Sequence, residues 1–584
     1  MGYSMDRIVF RRDTASGDVN VSVQFQVFDS LDRVFPDTPV GSKPPKQVSL
    51  AAARGTRASF QLAMSGLTAE PEFTLAPFAA EGRRAVRLSH RIQRVLYVPV
   101  EVNTSWDPLL EPPAKRPKEM PIDMYVDDRL DPRMAPHVVR KAPFELAEVL
   151  APLGARPVEA VRPNVFFVAV DTKPNTPPGT YRSTLTIRTA GEAIELPIEL
   201  TVGENKLPSR QRLRITNWFH LANIARFHDL EMWSPAYWAM LRKYARLMRE
   251  YGQNVFWIQK EVLIEKGSDK RPRFNWPRFD RYVRLFLDEG FEVIEGCHFV
   301  DRRFEEGYQP SGNYYLAETT TPALSTEGQC FMHEMAADLW RHVRNRGWDG
   351  IYLQHVADEP HPKEAEAYLR VANLLRRAMP GVRLIEAILG TPAVVGSLDV
   401  HVPNLADMHI PGVDRDPYFD SIWNYENFRK VAATGGGELW IYSCCGPRGP
   451  ALNRFLDFAL IKTRLIHWLN YVGGATGYLH WGLNMYREDQ DPFRQSVGKV
   501  FDGQCRLPPG DTHIIWPGDD GPWPSLRFEA MRDGIHDHEL LLAMQQSEGE
   551  KAANRLARRA VRTAVDYVRD IGEFRRIQRK LIKA

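Results

Sequence analysis

Between residues 213 and 482 short apolar runs alternate with amphipathic segments, a rhythm that few architectures accommodate. The runs begin with Leu213-Arg214-Ile215-Thr216-Asn217-Trp218-Phe219 and Val255-Phe256-Trp257-Ile258. Glu292-Val293-Ile294-Glu295, Ile351-Tyr352-Leu353, Leu384-Ile385-Glu386-Ala387-Ile388 and Val400-His401-Val402 follow. Leu439-Trp440-Ile441-Tyr442-Ser443 and Gly477-Tyr478-Leu479-His480-Trp481-Gly482 complete the eight. Helical spacing fills the gaps: Ser234-Pro235 supplies a cap and first-turn proline before Trp238, Leu241, Ala245 and Met248 on one face. Met332, Met335, Leu339 and Val343 share another face, and residues 277–288, 363–379 and 453–470 read as further helices. Eight strands with intervening helices predict a (β/α)₈ barrel over residues 206–540. A doubly wound sheet would carry a Gly-rich turn after its first strand, and none follows Phe219.

Residues 1–205 follow another period. Val21 to Phe28 and Ala58 to Met64 alternate in twos, and Asn164–Val170, Thr184–Arg188 and Ile194–Val202 are strand-like. With the turn Pro177-Pro178-Gly179-Thr180 they predict a β-sandwich, interrupted by a Pro-rich insertion at 103–145 that forms either a lid or an unstructured loop. A long loop is expected over 300–324. Residues 541–584 predict a C-terminal helical extension, with Leu556, Ala560, Ala564 and Val568 at helical spacing among its basic residues.

Charge and composition remove several function classes. The 76 basic and 73 acidic residues leave a formal net charge of +3, without the concentrated basic stripe that nucleic acid requires. No apolar run is long enough to span a membrane. Met1-Gly2-Tyr3-Ser4-Met5-Asp6-Arg7 lacks the apolar core of a leader, so the expected location is cytoplasmic, or secreted if a leader precedes this sequence. Cys297, Cys330, Cys444, Cys445 and Cys505 are too irregularly spaced for a disulfide framework or a zinc site, and Cys444 and Cys445 read as reduced, buried residues. No cofactor is expected. His355 and Asp358 are offset along a strand, which argues against a metal pair, and no cluster has metal-ligand spacing.

The chemistry concentrates in His355-Val356-Ala357-Asp358-Glu359-Pro360-His361, which ends the fourth barrel strand. On this fold that end carries the active site. Adjacent carboxylates repel, so in an enclosed site one of Asp358 and Glu359 keeps its proton near neutral pH, as glycosidic cleavage requires. Many retaining glycosidases place a second carboxylate after the seventh strand, but here that strand ends Ser443-Cys444-Cys445-Gly446. A 2-acetamido sugar resolves the shortage, because its own carbonyl oxygen can attack the anomeric carbon. Two neighbouring acids then suffice, one donating a proton and one holding the acetamido N–H. Neighbours on a strand face opposite ways, so both reach the mouth only if the strand ends before them, as Pro360 suggests. Tyr442 and Trp481 are candidates for ring stacking and for a polar contact near the acetamido group, His298 and His220 are further candidates for the sugar pocket, and Asn484 for a hydroxyl. Glu386 is a reserve carboxylate.

Four stretches carry a family resemblance: His355 to Pro360, Gly477 to Asn484, Ile514-Ile515-Trp516-Pro517-Gly518, and Pro524 to Ile535. Through them, and through Pro177 to Tyr181, nearly the whole chain resembles glycoside hydrolase family 123. The resemblance implies a β-N-acetylgalactosaminidase-like hydrolase using a retaining, substrate-assisted oxazoline route. It implies Glu359 as acid/base, Asp358 as the residue orienting the acetamido group, and a structural Arg532–Asp533 ion pair. The expected partner is a carbohydrate, an oligosaccharide or glycoconjugate. Two alternatives stay open. One is a glycosidase for another sugar, inverting, with Glu386 or Asp407 as a distant base; the other is a non-catalytic carbohydrate-binding protein.

Overall fold

Asn164–Asp171 reads as an unbroken apolar run because it is covered on both faces. The computed structural model describes residues 23–41, 45–82, 84–111, 115, 124–266, 272–304, 310–317, 319–388, 392–405, 437–500 and 503–584. One antiparallel sheet is built from β1 (Gln24–Asp29), β3 (Arg57–Ser65), β5 (Ser89–Val100), β6 (Phe144–Ala151) and β7 (Asn164–Asp171), in the order β1-β3-β7-β5-β6. The second, ordered β2-β9-β8-β4, contains β2 (Val48–Arg54), β4 (Glu72–Leu75), β8 (Gly179–Arg188) and β9 (Ala193–Lys206). Its β8–β9 hairpin pairs Gly179 with Val202 through to Arg188 with Ala193. Phe166, Val168 and Val170 of β7 meet Tyr181, Leu185 and Leu196 of the second sheet in one apolar core. The alternate residues Val165, Phe167 and Ala169 belong instead to the large core shared with the α/β part of the chain. Each face of β7 therefore has its own apolar partner, and period two disappears.

Eight further strands form a nearly closed parallel barrel. They are β10 (Arg214–Asn217), β11 (Val255–Trp257), β12 (Val293–Gly296), β13 (Tyr352–Gln354), β14 (Arg383–Ile388), β15 (Val400–Pro403), β16 (Glu438–Ser443) and β17 (Gly477–His480). Their order is β10-β17-β16-β15-β14-β13-β12-β11. Asn254 bridges the seam between β10 and β11. Its backbone N–H donates to the Ile215 carbonyl at 3.2 Å, and its side-chain oxygen accepts the Ile215 N–H at 2.9 Å. Val255, Leu353, Ile385, Val400, Trp440 and Leu479 fill the interior. Gly477 makes room for Trp440, since a Cβ there would lie 2.3 Å from the indole.

The outer helices include α1 (Pro235–Glu250), α2 (Trp276–Asp288), α3 (Thr326–Asn345), α4 (Ala365–Ala378), α5 (Leu460–Gly473) and α6 (Leu526–Glu548), followed by α7 (Glu550–Ala560) and α8 (Ile571–Lys583). Ser234 caps α1 through the Tyr237 N–H, with Pro235 in the first turn. α5 and α6 approach backbone to backbone at Gly534, where a Cβ would lie 2.3 Å from the Arg464 carbonyl oxygen. Arg464 also pairs with Asp533 and Asp537, each at 2.8 Å, so Asp533 finds its close partner across the helix pair, whereas Arg532 stays 3.8 Å away.

Several elements differ from expectation for local reasons. The loop expected over 300–324 contains an antiparallel hairpin, Val300–Phe304 against Pro310–Leu316, anchored by buried Val300, Tyr314 and Leu316. The helix expected from Asn453 begins only at Leu460. Asn453 instead donates to the Cys444 and Pro447 carbonyls, and Asp457 accepts the Thr104 N–H and hydroxyl, so side chains hold this stretch as buried irregular chain. The basic tail is two helices because Thr563 and the Arg562–Asp566 pair close a turn between them.

The two sheets and the barrel are joined by buried charge. Glu148 of β6 accepts Arg33 at 2.6 Å and Arg527 of α6 at 2.7 Å, with all three side chains almost wholly inaccessible. Arg527 spends its other N–H groups on the carbonyls of Arg454, Gly510 and His513. Removing the carboxylate would strand two guanidinium groups in low dielectric, a loss of about 3–5 kcal/mol. Glu148→Ala is thus expected to lower the urea midpoint strongly, measured by circular dichroism, while exposed-pair variants such as Arg140→Ala (partner Asp37) barely shift it.

Candidate active site

At the C-terminal ends of the barrel strands lies a buried charge network. His355, one residue past β13, directs Nδ1 to Glu386 of β14 at 2.7 Å and Nε2 to Glu295 of β12 at 2.8 Å. Glu295 also accepts the Trp218 indole N–H at 2.8 Å and the Thr216 hydroxyl at 2.6 Å. Burial alone would push the imidazole down, but Glu386 and Glu295 overcome it and raise His355 to about 10. Burial likewise works against the Glu386 carboxylate, yet His355 and His298 bring it down to about 2. His355 is therefore an imidazolium clasped between two carboxylates.

The network sets the geometry of the acidic pair. Glu386 Oε2 accepts the backbone N–H groups of both Val356 and Ala357 at 2.9 Å, so the chain leaves the strand in a fixed direction. Arg302, from the 300–316 hairpin, donates to the carbonyl oxygens of Asp358 and Glu359. Glu364 holds Arg302 Nε at 3.3 Å and accepts the His361 N–H at 3.1 Å. Glu359 has a φ of +42°, a left-handed conformation that costs a non-glycine residue roughly 1–2 kcal/mol and ends strand alternation. Neighbouring side chains can then serve one cleft.

That cleft has a volume of about 370 Å³ and is lined by both Asp358 and Glu359, with Tyr442 of β16, Trp481 after β17, Trp218 after β10 and Asp511 among the other residues around it. Asp358 is exposed and Glu359 half-buried. Tyr442 donates its hydroxyl to Glu359 Oε1. Burial and then the Asp358 charge push Glu359 up, the Tyr442 hydrogen bond and Arg302 oppose them, and the balance lies at about 7. Asp511 is fully buried; burial raises it to about 7 against the pull of Arg454 and the Trp481 N–H.

The other residues singled out in the sequence separate into two groups. Tyr442 and Trp481 line the cleft, whereas His220, His298, Asn484 and Glu386 are not among its lining residues. Asn484 is buried, with its amide clasping the His220 N–H at 2.7 Å and carbonyl at 3.2 Å, so it fastens a backbone turn instead of facing a ligand. His220 is half-buried, and burial lowers its imidazole. His298 lies 3.4 Å from Glu386 and edge-on to Trp218. Asp407 falls outside the described residues. Contrary to the spacing argument against metal ligands, donor atoms of His298, His355 and Glu386 lie within 4.8 Å of one another. Both His355 nitrogens, however, already bond carboxylates, which suits a charge relay better than coordination.

Several cleft residues escape the sequence reading. Asp511 follows Pro508-Pro509-Gly510 in a stretch without period, and Tyr125 arrives from the 103–145 insertion. Cys444 and Cys445, expected to be buried, are half-buried free thiols on the cleft wall, with sulfurs 3.7 Å apart. The one available signal is position: both cysteines directly follow β16 at the barrel mouth.

Comparisons with known proteins agree with this layout. A family 123 glycoside hydrolase from Clostridium perfringens, described for glycolipid glycan hydrolysis, superposes with a TM-score of 0.70 at 13% identity, covering 96% of each chain. A GH10 xylanase from termite gut and a β-galactosidase from Marinomonas ef1 reach TM-scores of only 0.31 and 0.36, at 9% and 12% identity. The xylanase match covers 64% of this chain and 90% of that one, and the β-galactosidase match 60% and 62%. Comparison with curated proteins gives no match. The family model for the glycoside hydrolase 123 catalytic domain matches residues 218–544, more than half of the chain and all of the cleft-lining residues except Tyr125. The chain belongs to glycoside hydrolase family 123.

Proposed function

We propose that this hydrolase removes a terminal β-linked 2-acetamido sugar, GalNAc-like, with retention of configuration and with the substrate's own acetamido group as nucleophile. The observation that carries the reading is the pairing of Glu359, poised at about 7 and hydrogen-bonded to Tyr442, with exposed Asp358 in one cleft. Strand β16 ends without a carboxylate, so a two-carboxylate retaining arrangement at that position has no second member. The cleft volume is at the small end of the about 300–1,000 Å³ typical of small-molecule sites, which favours a chain-end sugar over a long polymer. A glycolipid glycan, the substrate named for the Clostridium perfringens protein, is one source of such an end.

In the first step the acetamido carbonyl oxygen attacks the anomeric carbon as the glycosidic C–O bond breaks. Glu359 gives its proton to the departing oxygen, and Asp358 holds the acetamido N–H and the positive charge developing on it. The product is an oxazolinium ion, the N-protonated form of an oxazoline, with its N–H still on Asp358. Water then attacks the anomeric carbon from the face the aglycone left, Glu359 takes its proton, and the ring reopens to the acetamido sugar in its original β configuration. Trp481 and Trp218 supply apolar walls for the ring, and the high pKa of Tyr442, set by its burial and by Glu359, keeps its hydroxyl a donor throughout.

Aryl β-GalNAc and β-GlcNAc hydrolysis, followed by NMR of the first anomer formed, tests the proposal. The β anomer is expected; an α anomer would indicate inversion, and binding without aryl release would indicate a carbohydrate-binding protein. Glu359→Gln should cut kcat/KM by about 10²–10⁴-fold on poor leaving groups and far less on dinitrophenyl glycosides, which need no proton. Asp358→Asn should slow all of them.

The pH profile gives a separate check. Glu359 must enter protonated, so kcat/KM should fall as pH rises through about 7. Tyr442→Phe removes a hydrogen bond that favours the ionised form, so its alkaline limb should move to higher pH; a limb that moves down or stays fixed contradicts the assignment.

A further inference from the structure

We infer that Asp511 determines sugar specificity, its free carboxyl oxygen receiving one ring hydroxyl of the sugar packed against Trp481. The inference rests on the proposed glycosidase reading but concerns a residue outside the acidic pair. Asp511 is wholly buried and lines the same cleft as Glu359. Its Oδ2 accepts the Trp481 indole N–H at 3.2 Å, which fixes the plane of that ring. Its Oδ1 has no hydrogen-bond partner among the described residues. His480 Nε2 stands 3.6 Å from it, beyond hydrogen-bonding reach. His480 Nδ1 accepts from Arg454 at 2.6 Å and from the Gly482 N–H at 3.0 Å, so the imidazole proton sits on Nε2 and this histidine stands as a neutral wall beside Asp511.

A buried oxygen left unpaired is costly, and a ligand hydroxyl donated from the cleft removes that cost. The turn carrying Asp511 is rigid enough to discriminate. Arg527 holds the Gly510 carbonyl at 2.8 Å, Leu456 N–H bonds the Pro509 carbonyl at 2.9 Å, and Gly510 N–H bonds the Ser496 carbonyl at 2.8 Å. Burial raises Asp511 to about 7, so a neutral hydroxyl suits it better than a cation.

The test is a cycle of kcat/KM values for aryl 2-acetamido glycosides and their 3-, 4- and 6-deoxy derivatives, with wild type, Asp511→Asn and Asp511→Ala. Wild type should discriminate against one deoxy position by at least about tenfold. Asp511→Ala should lose that discrimination while keeping the wild-type ratios at the other positions, beneath whatever overall loss follows from freeing Trp481. A uniform loss on every substrate, or no change on any, overturns the inference. If Asp511→Ala does not fold, Asp511→Asn, which keeps an acceptor for Trp481, is read by the same criterion. If wild type cleaves no acetamido glycoside, the proposed reaction fails separately. Calorimetric binding of GalNAc, GlcNAc and galactose to wild type and Asp511→Asn then decides: weaker binding of one sugar by the variant supports the assignment, whereas equal affinity, or no binding by either, overturns it.

Discussion

The imidazolium of His355 between Glu295 and Glu386 is the interaction on which the rest of the site depends. One positive charge between two buried carboxylates offsets the heavy desolvation penalty that either would carry alone. Because Glu386 is thereby kept ionised, it can accept two consecutive backbone N–H groups, and those bonds dictate where the chain carrying Asp358 and Glu359 emerges. Glu295 uses its remaining capacity on Trp218, so the same charge also orients an aromatic wall of the cleft. The left-handed backbone at Glu359 persists because Glu386 on one side and Arg302 on the other over-determine it.

Carboxyl groups close together in the fold are thus driven to different protonation states by environment alone. Glu386 faces a cation and backbone donors and stays charged far below neutrality. Glu359 faces Asp358 and partial desolvation with only a phenol and a more distant guanidinium in opposition, and it sits near neutrality. This division also weighs against Glu386 as the base of an inverting reaction, since its oxygens are already committed to His355, two amides and Tyr368.

The barrel is legible in the sequence because each strand is a compact apolar run and each helix repeats with its own period, and the Asp-Glu pair is legible because it immediately follows such a run. Its surroundings are not. Glu295, His355 and Glu386 meet through the lateral order of parallel strands, so their spacing along the chain carries no metal-like or catalytic signature. Asn484 and His220 look like site residues by position after a strand, yet the Asn484 amide bonds the His220 backbone, a pairing across 264 positions that one sequence does not announce. Arg302 lies in what reads as loop, because a short hairpin with mixed charge lacks the alternation that would mark it as strands.

One tie between the N-terminal sheets and this chemistry runs through Arg527. Arg527 bonds Glu148 of β6 on one side and the carbonyls of Arg454, Gly510 and His513 on the other. Arg454 in turn donates to His480 and to the Gly482 carbonyl, which flank Trp481. The chain between β5 and β6 adds Tyr125 to the cleft wall and also supplies the Thr104 that satisfies buried Asp457. Without these sheets Arg527 would lose its Glu148 partner and the cleft its Tyr125 wall. The sheets therefore act as part of the pocket's frame: the acidic pair and Asp511 line one cleft but are held by different buried charge networks, and only the first is internal to the barrel.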